Sequence, residues 1–219
     1  MADDSNRDGL SPWQQYLKRT FDVALALVGL MLSWWLILLA YLAASIDTRR
    51  NGFFIQRRVG YRGKVFRLIK IRTMRDLPGC GTTVTTHGDP RVTPLGRLLR
   101  KMKIDELPQL INVLLGQMSF VGPRPDVPGF ADRLQGDDRI VLCVRPGMTG
   151  PATLKYGNEE RLLAGRSDPE KYNREVVYPD KVRLNKQYIR NYSFLKDIEY
   201  IWHTAVGSSP QADHTGGMP

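Results

Sequence analysis

The sequence predicts an α+β protein: an N-terminal re-entrant membrane helix hairpin, followed by a small, mostly helical cytoplasmic domain with a short β-hairpin and amphipathic interfacial helices. Three observations predict it. Residues 23–46 contain no Asp, Glu, Lys or Arg. Two short apolar runs, Phe53, Phe54, Ile55 and then Val65, Phe66, Leu68, Ile69, Ile71, are separated by the turn residues Gly60 and Gly63. Beyond them, apolar residues recur at helical spacing in residues 95–115 and 193–206.

The uncharged run exceeds the ~20 residues that cross a bilayer core. A spanning helix is basic mainly on its cytoplasmic side, yet here Lys18 and Arg19 precede the run and Arg49 and Arg50 follow it. Both ends on one side require a helix that enters and turns back, with spanning as the alternative. Ser33, near the middle, is placed to bond a freed carbonyl at the bend, and Trp34 and Trp35 suit an interface. Lys18 and Arg19 are expected at lipid headgroups.

In the body, the two apolar runs flanking Gly60 and Gly63 read as a hairpin. Arg57, Arg58, Arg62, Lys64, Arg67, Lys70, Arg72 and Arg75 make this region strongly basic. Residues 76–90 read as a loop. Leu99, Met102, Leu107, Leu110, Ile111 and Leu114 form a helical face that Pro108 divides, with a new helix starting near Asp105, which lies at or beside its N-cap. Residues 121–128, with three prolines, are extended, and residues 145–150 form a tight turn. Residues 178–192 form a mixed helix. In 193–206, Phe194, Leu195, Ile198, Ile201, Trp202 and Ala205 share one face, which lies on a membrane or caps the core. The expected organisation is a leader (1–17), a re-entrant membrane helix (18–50), a cytoplasmic domain (51–206) and a disordered tail (207–219).

Composition bounds the function class. The 219 residues carry a net charge of +10, which favours anionic partners: lipid headgroups, phosphorylated substrates or nucleic acid. The two cysteines, Cys80 and Cys143, lack metal-site spacing and read as reduced thiols. His87 and His203 read as non-catalytic. No cleavable signal peptide or internal repeat is present.

Four stretches in order then carry a resemblance. They are Lys18-Arg19-Thr20-Phe21-Asp22; Lys70-Ile71-Arg72-Thr73-Met74; the long run Ile104-Asp105-Glu106-Leu107-Pro108-Gln109-Leu110-Ile111-Asn112-Val113, continuing through Gly116 and Met118-Ser119-Phe120-Val121-Gly122-Pro123-Arg124-Pro125; and Val144-Arg145-Pro146-Gly147-Met148-Thr149-Gly150. Together they resemble the monotopic phosphoglycosyl transferases, the bacterial sugar transferases, in the form that has only the catalytic domain. The resemblance implies a re-entrant helix and attachment to the bacterial inner membrane, with the catalytic domain on the cytoplasmic face. It also implies Mg²⁺-dependent transfer of a sugar 1-phosphate from a UDP-sugar to polyprenyl (undecaprenyl) phosphate, as the first membrane step of glycoconjugate synthesis. Its partners are the UDP-sugar, the polyprenyl phosphate and membrane phospholipids, and not nucleic acid; a homo-oligomer is left open. The chain departs from the family in three places. Ser33-Trp34 stands where a Ser-Pro break is usual, Pro151-Ala152-Thr153 where Trp-Ala-Gln often follows the glycine turn, and Asn185 where an Asp is common.

The resemblance also implies a covalent intermediate on the Asp-Glu pair. Asp105 is assigned as the nucleophile and Glu106 as the Mg²⁺ ligand, since carboxylates accept phosphoryl groups and Mg²⁺ binds one or two carboxylates plus phosphates. In the competing assignment Asp105 holds the metal and the acceptor attacks directly. Lys70, Arg100, Arg124 and Arg145, each in or beside a matched motif, are the phosphate-binding candidates. Asp126 is a candidate partner for Arg124. Two rivals stay open: a non-enzymatic basic protein binding anionic lipid or nucleic acid, and a spanning glycosyl transferase that leaves UDP.

Overall fold

The computed structural model describes residues 9–76 and 88–207. The first half of the leader, most of the 76–90 loop with Cys80 and His87, and the tail after Gly207 lie outside the described residues.

The first element is a single helix, α1 (Pro12–Thr48), 37 residues and about 55 Å long. Ser11 and Gln14 close a capping box at its start, with Pro12 in the first turn. Arg49, in the left-handed region at φ 54°, ends it. The expected hairpin is not there: the helix runs unbroken through Ser33-Trp34. Ser33 Oγ donates to the Gly29 carbonyl at 2.6 Å, four residues back, and with no proline in this stretch the backbone ladder continues.

One face of α1 packs along the body through Lys18, Asp22, Ala26, Ile37, Ala40 and Ala44, all buried. Small residues permit the approach; a Cβ on Gly29 would sit 3.1 Å from Leu110 Cδ1. The other face leaves Leu27, Met31, Leu32, Trp34, Leu39 and Ile46 exposed.

Lys18 and Arg19 therefore do not reach for headgroups. Lys18 is buried and pairs with Asp197 at 2.5 Å. Arg19 donates to the carbonyls of Val113 and Leu114, at 2.6 and 2.9 Å. Both stand on the helix face that the body covers, which charge alone does not reveal.

The hairpin forms as expected. Strands β1 (Phe53–Val59) and β2 (Val65–Ile71) are antiparallel, with Phe53 opposite Ile71 and Val59 opposite Val65. Helix α2 (Pro94–Lys101) is capped by Thr93, whose Oγ1 accepts from Gly96 N at 2.8 Å. Gly96 is required there: a Cβ would lie 2.1 Å from the Thr73 carbonyl. After Lys103, in the left-handed region, residues Ile104–Glu106 make one 3₁₀ turn before α3 (Gln109–Leu114). Asp105 is thus not the cap of a new helix. Pro108 occupies that position, without a side-chain cap, and Asp105 sits in the turn before it.

The expected turn at 145–150 contains a strand instead. Strands β3 (Ser119–Val121) and β4 (Gly147–Thr149) pair in parallel. Glycines let the two backbones touch; a Cβ on Gly147 would stand 2.2 Å from Gly122 N. Short helices α4 (Pro151–Lys155), α5 (Glu159–Ala164) and α6 (Pro169–Tyr172) follow. A π-turn over Asn173–Val177 leads into α7 (Tyr178–Arg190), and the chain continues to α8 (Phe194–Val206).

In α8 the expected single apolar face is divided. Asp197 and Ile201 turn inward, while Leu195, Ile198, Trp202 and Val206 form an exposed stripe at helical spacing. Three buried clusters form the core. One gathers Val59, Val121, Ile140, Val182 and Ile189; one joins Ala26 of α1 to Phe66, Leu68, Leu110 and Met118; one joins Ile37 and Ala44 of α1 to Ile71, Leu99 and Ile104.

Candidate active site

The fold brings the hairpin, the 3₁₀ turn, the proline-rich strand after β3, α4 and α7 around one cleft of about 950 Å³. Asp105 and Glu106 lie on its wall with Lys70, Arg100 and Arg124. Lys70 comes from the end of β2. Arg124 is held between Pro123 and Pro125 just after β3, where restricted backbone freedom lowers the cost of fixing its position.

The two carboxylates differ sharply. Glu106 Oε1 accepts from Lys70 Nζ at 2.8 Å and from Arg124 Nη2 at 2.9 Å. Burial pushes Glu106 up, but Arg124 and Lys70 outweigh it and hold the carboxylate well below its usual range. In return Glu106 raises Arg124, while burial and Arg124 keep Lys70 below the ordinary ammonium value against the pull of Glu106. Asp105, only 8% exposed, accepts no such pair from the described residues. Burial pushes it up to about 6, with Glu106 adding to the rise and Lys70, Arg100 and Arg124 opposing it. The pair thus holds one firmly ionised, cation-bound acid beside one poised near neutrality, the separation that assigns distinct roles to neighbouring carboxylates.

The candidate residues do not all converge. Arg100 lines the cleft, with Nε donating to Thr73 Oγ1 at 3.0 Å. Arg145 is not on the cleft wall: its Nε donates to the Gly116 carbonyl at 2.9 Å and its guanidinium lies over the Tyr61 ring. Asp126 does not pair with Arg124. It faces Lys181, Arg58 and Tyr178, and burial pushes it up to about 6. Arg58 was one among many basic residues in the sequence. Here burial lowers it to about 10, and it donates to Gln56 and to the Pro125 carbonyl on the cleft wall. Alternation along β1 puts Gln56 and Arg58 on one side, the one signal that could have singled Arg58 out. His203 lines the cleft and approaches Glu199 of its own helix at 3.7 Å.

A cationic cleft around two unequal carboxylates thus stands on a body that carries a long apolar helix. Comparison with known proteins gives the family. The chain belongs to the bacterial sugar transferase family, which matches residues 13–209. The exopolysaccharide production protein ExoY of Sinorhizobium fredii is 32% identical over 203 residues, covering 85% of this chain and 83% of that protein. The UDP-glucose:undecaprenyl-phosphate glucose-1-phosphate transferase of Caulobacter vibrioides is 35% identical over 199 residues, covering 85% and 67%. The undecaprenyl-phosphate glucose phosphotransferase of Komagataeibacter xylinus is 38% identical over 208 residues, covering 90% of this chain but 37% of that longer protein. The protein is a transferase.

Proposed function

We propose that this protein transfers a sugar 1-phosphate from a UDP-sugar to undecaprenyl phosphate through a phosphosugar ester of Asp105. The observation that carries the reading is the unequal carboxylate pair in a cleft whose cations face it. The donor diphosphate is repelled by a bare carboxylate, and Lys70, Arg100 and Arg124 offset that repulsion. Ionised Asp105 attacks the sugar-linked phosphorus, the bond to the UMP oxygen breaks, and UMP leaves. An oxygen of undecaprenyl phosphate then attacks the same phosphorus and releases the Asp105 carboxylate, giving undecaprenyl-diphosphate-sugar. Glu106, held by two cations, orients Lys70 and Arg124 on the phosphates.

The residues fit a Mg²⁺ ion. Glu106 Oε2 accepts no hydrogen bond from a described residue, which leaves one oxygen for a metal, with Asp105 adjacent. No group of three or more His, Cys, Asp or Glu gathers among the described residues, so donor phosphates and water would complete the shell, as Mg²⁺ commonly accepts. Bound there, the ion would supply charge neutralisation to the diphosphate.

Membrane attachment follows from α1. The body touches the helix near both ends, through Lys18–Asp197 and through Arg75, which donates to the Asp47 carbonyl and carboxylate. A perpendicular crossing would put those two contacts, about 44 Å apart along the helix, at opposite interfaces and force the charged body that joins them through hydrocarbon. The arrangement favours a helix whose exposed apolar face, together with the α8 stripe, sits in one leaflet of the inner membrane with the catalytic body on its cytoplasmic side. The test of function is purified protein with Mg²⁺, undecaprenyl phosphate and a panel of UDP-sugars. At least one should yield UMP; UDP release, or no nucleotide from any donor, overturns the reading.

A further inference from the structure

One wall of the cleft carries polar atoms that the protein itself leaves unsatisfied. Five buried side-chain atoms lack a hydrogen-bond partner among the described residues, and four of their residues line the cleft: Thr153 of α4, Asn173 of the π-turn, and Tyr178 and Asn185 of α7. An unpaired buried polar atom costs about 1–3 kcal/mol, and native proteins keep few of them. Four on one wall is therefore a concentration that calls for a ligand. Asn185 is the most enclosed, at 7% exposure, with Oδ1 unpartnered.

The chemistry of these atoms says what the ligand offers. The amide oxygens Asn173 Oδ1 and Asn185 Oδ1 can only accept, while the Thr153 and Tyr178 hydroxyls can donate or accept. Nearby stand further acceptors: the Asp126 carboxylate, which faces the Tyr178 hydroxyl, and Glu159, which accepts from Lys181 at 2.7 Å. At the carboxylate end of the same cleft, Lys70, Arg100 and Arg124 carry donors and no acceptor. An ionised phosphate satisfies that donor end but has no hydrogen to give an amide oxygen. The acceptor wall needs a neutral group bearing O–H or N–H.

We propose that Asn185 and Asn173, with Thr153 and Tyr178, recognise the neutral, hydroxyl-bearing part of the nucleotide-sugar while the cationic end takes its diphosphate. The shared chemistry is a polar ring with donors, found both in the glycosyl unit and in uridine. The proposal rests on the reading of this chain as a UDP-sugar phosphotransferase and assigns specificity within the donor.

The test uses the full chain with Asn185→Leu and Asn173→Leu, which keep the branched shape and remove the acceptor, and Tyr178→Phe, which removes only a hydroxyl. KM for a UDP-sugar that the unmodified enzyme turns over, inhibition by UMP, and the melting temperature are read together. The Asn variants should raise KM about tenfold, the effect of one lost hydrogen bond, with no fall in melting temperature because an orphaned atom has been removed. Weakened UMP inhibition alongside the raised KM assigns the wall to uridine; unchanged UMP inhibition assigns it to the sugar. KM and UMP inhibition within twofold of the unmodified enzyme in all three folded variants overturn the proposal while the catalytic reading stands. Absence of UMP release by the unmodified enzyme sinks the catalytic reading instead, and the donor wall with it.

Discussion

Asp105→Asn should abolish turnover and make the protein more stable. Asp105 is 8% exposed, and burial moves its carboxyl from an ordinary 3.8 to about 6. Between those two values the folded protein holds the proton more tightly than the unfolded chain. Folding stability therefore falls as pH rises through that window, and the full penalty stands above about pH 6. At about 1.4 kcal/mol per pH unit the penalty is roughly 3 kcal/mol. Asn carries no charge to bury. For a chain of this size ~1 kcal/mol corresponds to about 2–4 °C, so the variant should melt up to about 6–12 °C higher at pH 7.5. Near pH 4, where folded Asp105 is protonated, the two should converge. The assay is a thermal melt of both proteins in the same detergent, scan rate and chelator at the two pH values. A variant that melts at or below the unmodified protein at pH 7.5, or a difference that does not shrink near pH 4, would refute the reasoning.

Other outcomes follow from the same contacts. Lys70→Met removes one of the two cations on Glu106; UMP release should drop by at least about 100-fold, on the scale of losing one electrostatic stabiliser, while a normal rate would show that Lys70 is not on the phosphate path. Asp197→Asn strands the buried Lys18 ammonium and should cost about 3–5 kcal/mol, whereas Lys18→Met with Asp197→Leu should recover most of it in the same melts. Without Mg²⁺ the Asp105 carboxyl should titrate near pH 6 by carbon NMR, and adding the ion should lower that midpoint; no movement would argue against a metal beside it. Bromine placed along the acyl chains should quench Trp34 and Trp35 most strongly within one leaflet; quenching greatest at the bilayer centre would speak for a deeper insertion of α1.

Much of this architecture is written locally. The hairpin is legible because two short apolar runs flank the glycines that mark the turn between them. Asp105 and Glu106 were legible as a pair because they are neighbours inside a long motif, and Lys70 and Arg124 because each sits in a motif of its own. What the sequence hides is tertiary. Nothing local tells that Lys18 faces Asp197, since a helix does not announce which face its body will cover. The uninterrupted helix reflects the missing proline at Ser33-Trp34, a departure visible in the sequence but outweighed there by the symmetry of flanking charge. β3 and β4 are three residues each, too short to show a period. Asn173 looks ordinary in sequence and Asn185 stands out only as a departure from a common Asp, because lacking a partner is a property of the folded cleft.

The central claim is that Asp105 becomes covalently phosphoglycosylated. It is tested most directly by mixing the enzyme with Mg²⁺ and a UDP-sugar it uses, without any lipid phosphate, quenching within one turnover and mapping the peptides by mass spectrometry. The account predicts UMP released in amounts up to the enzyme present and a hexose-phosphate mass on the peptide containing Asp105, absent in Asp105→Asn. UMP that forms only once undecaprenyl phosphate is added, with that peptide unmodified throughout, would contradict it.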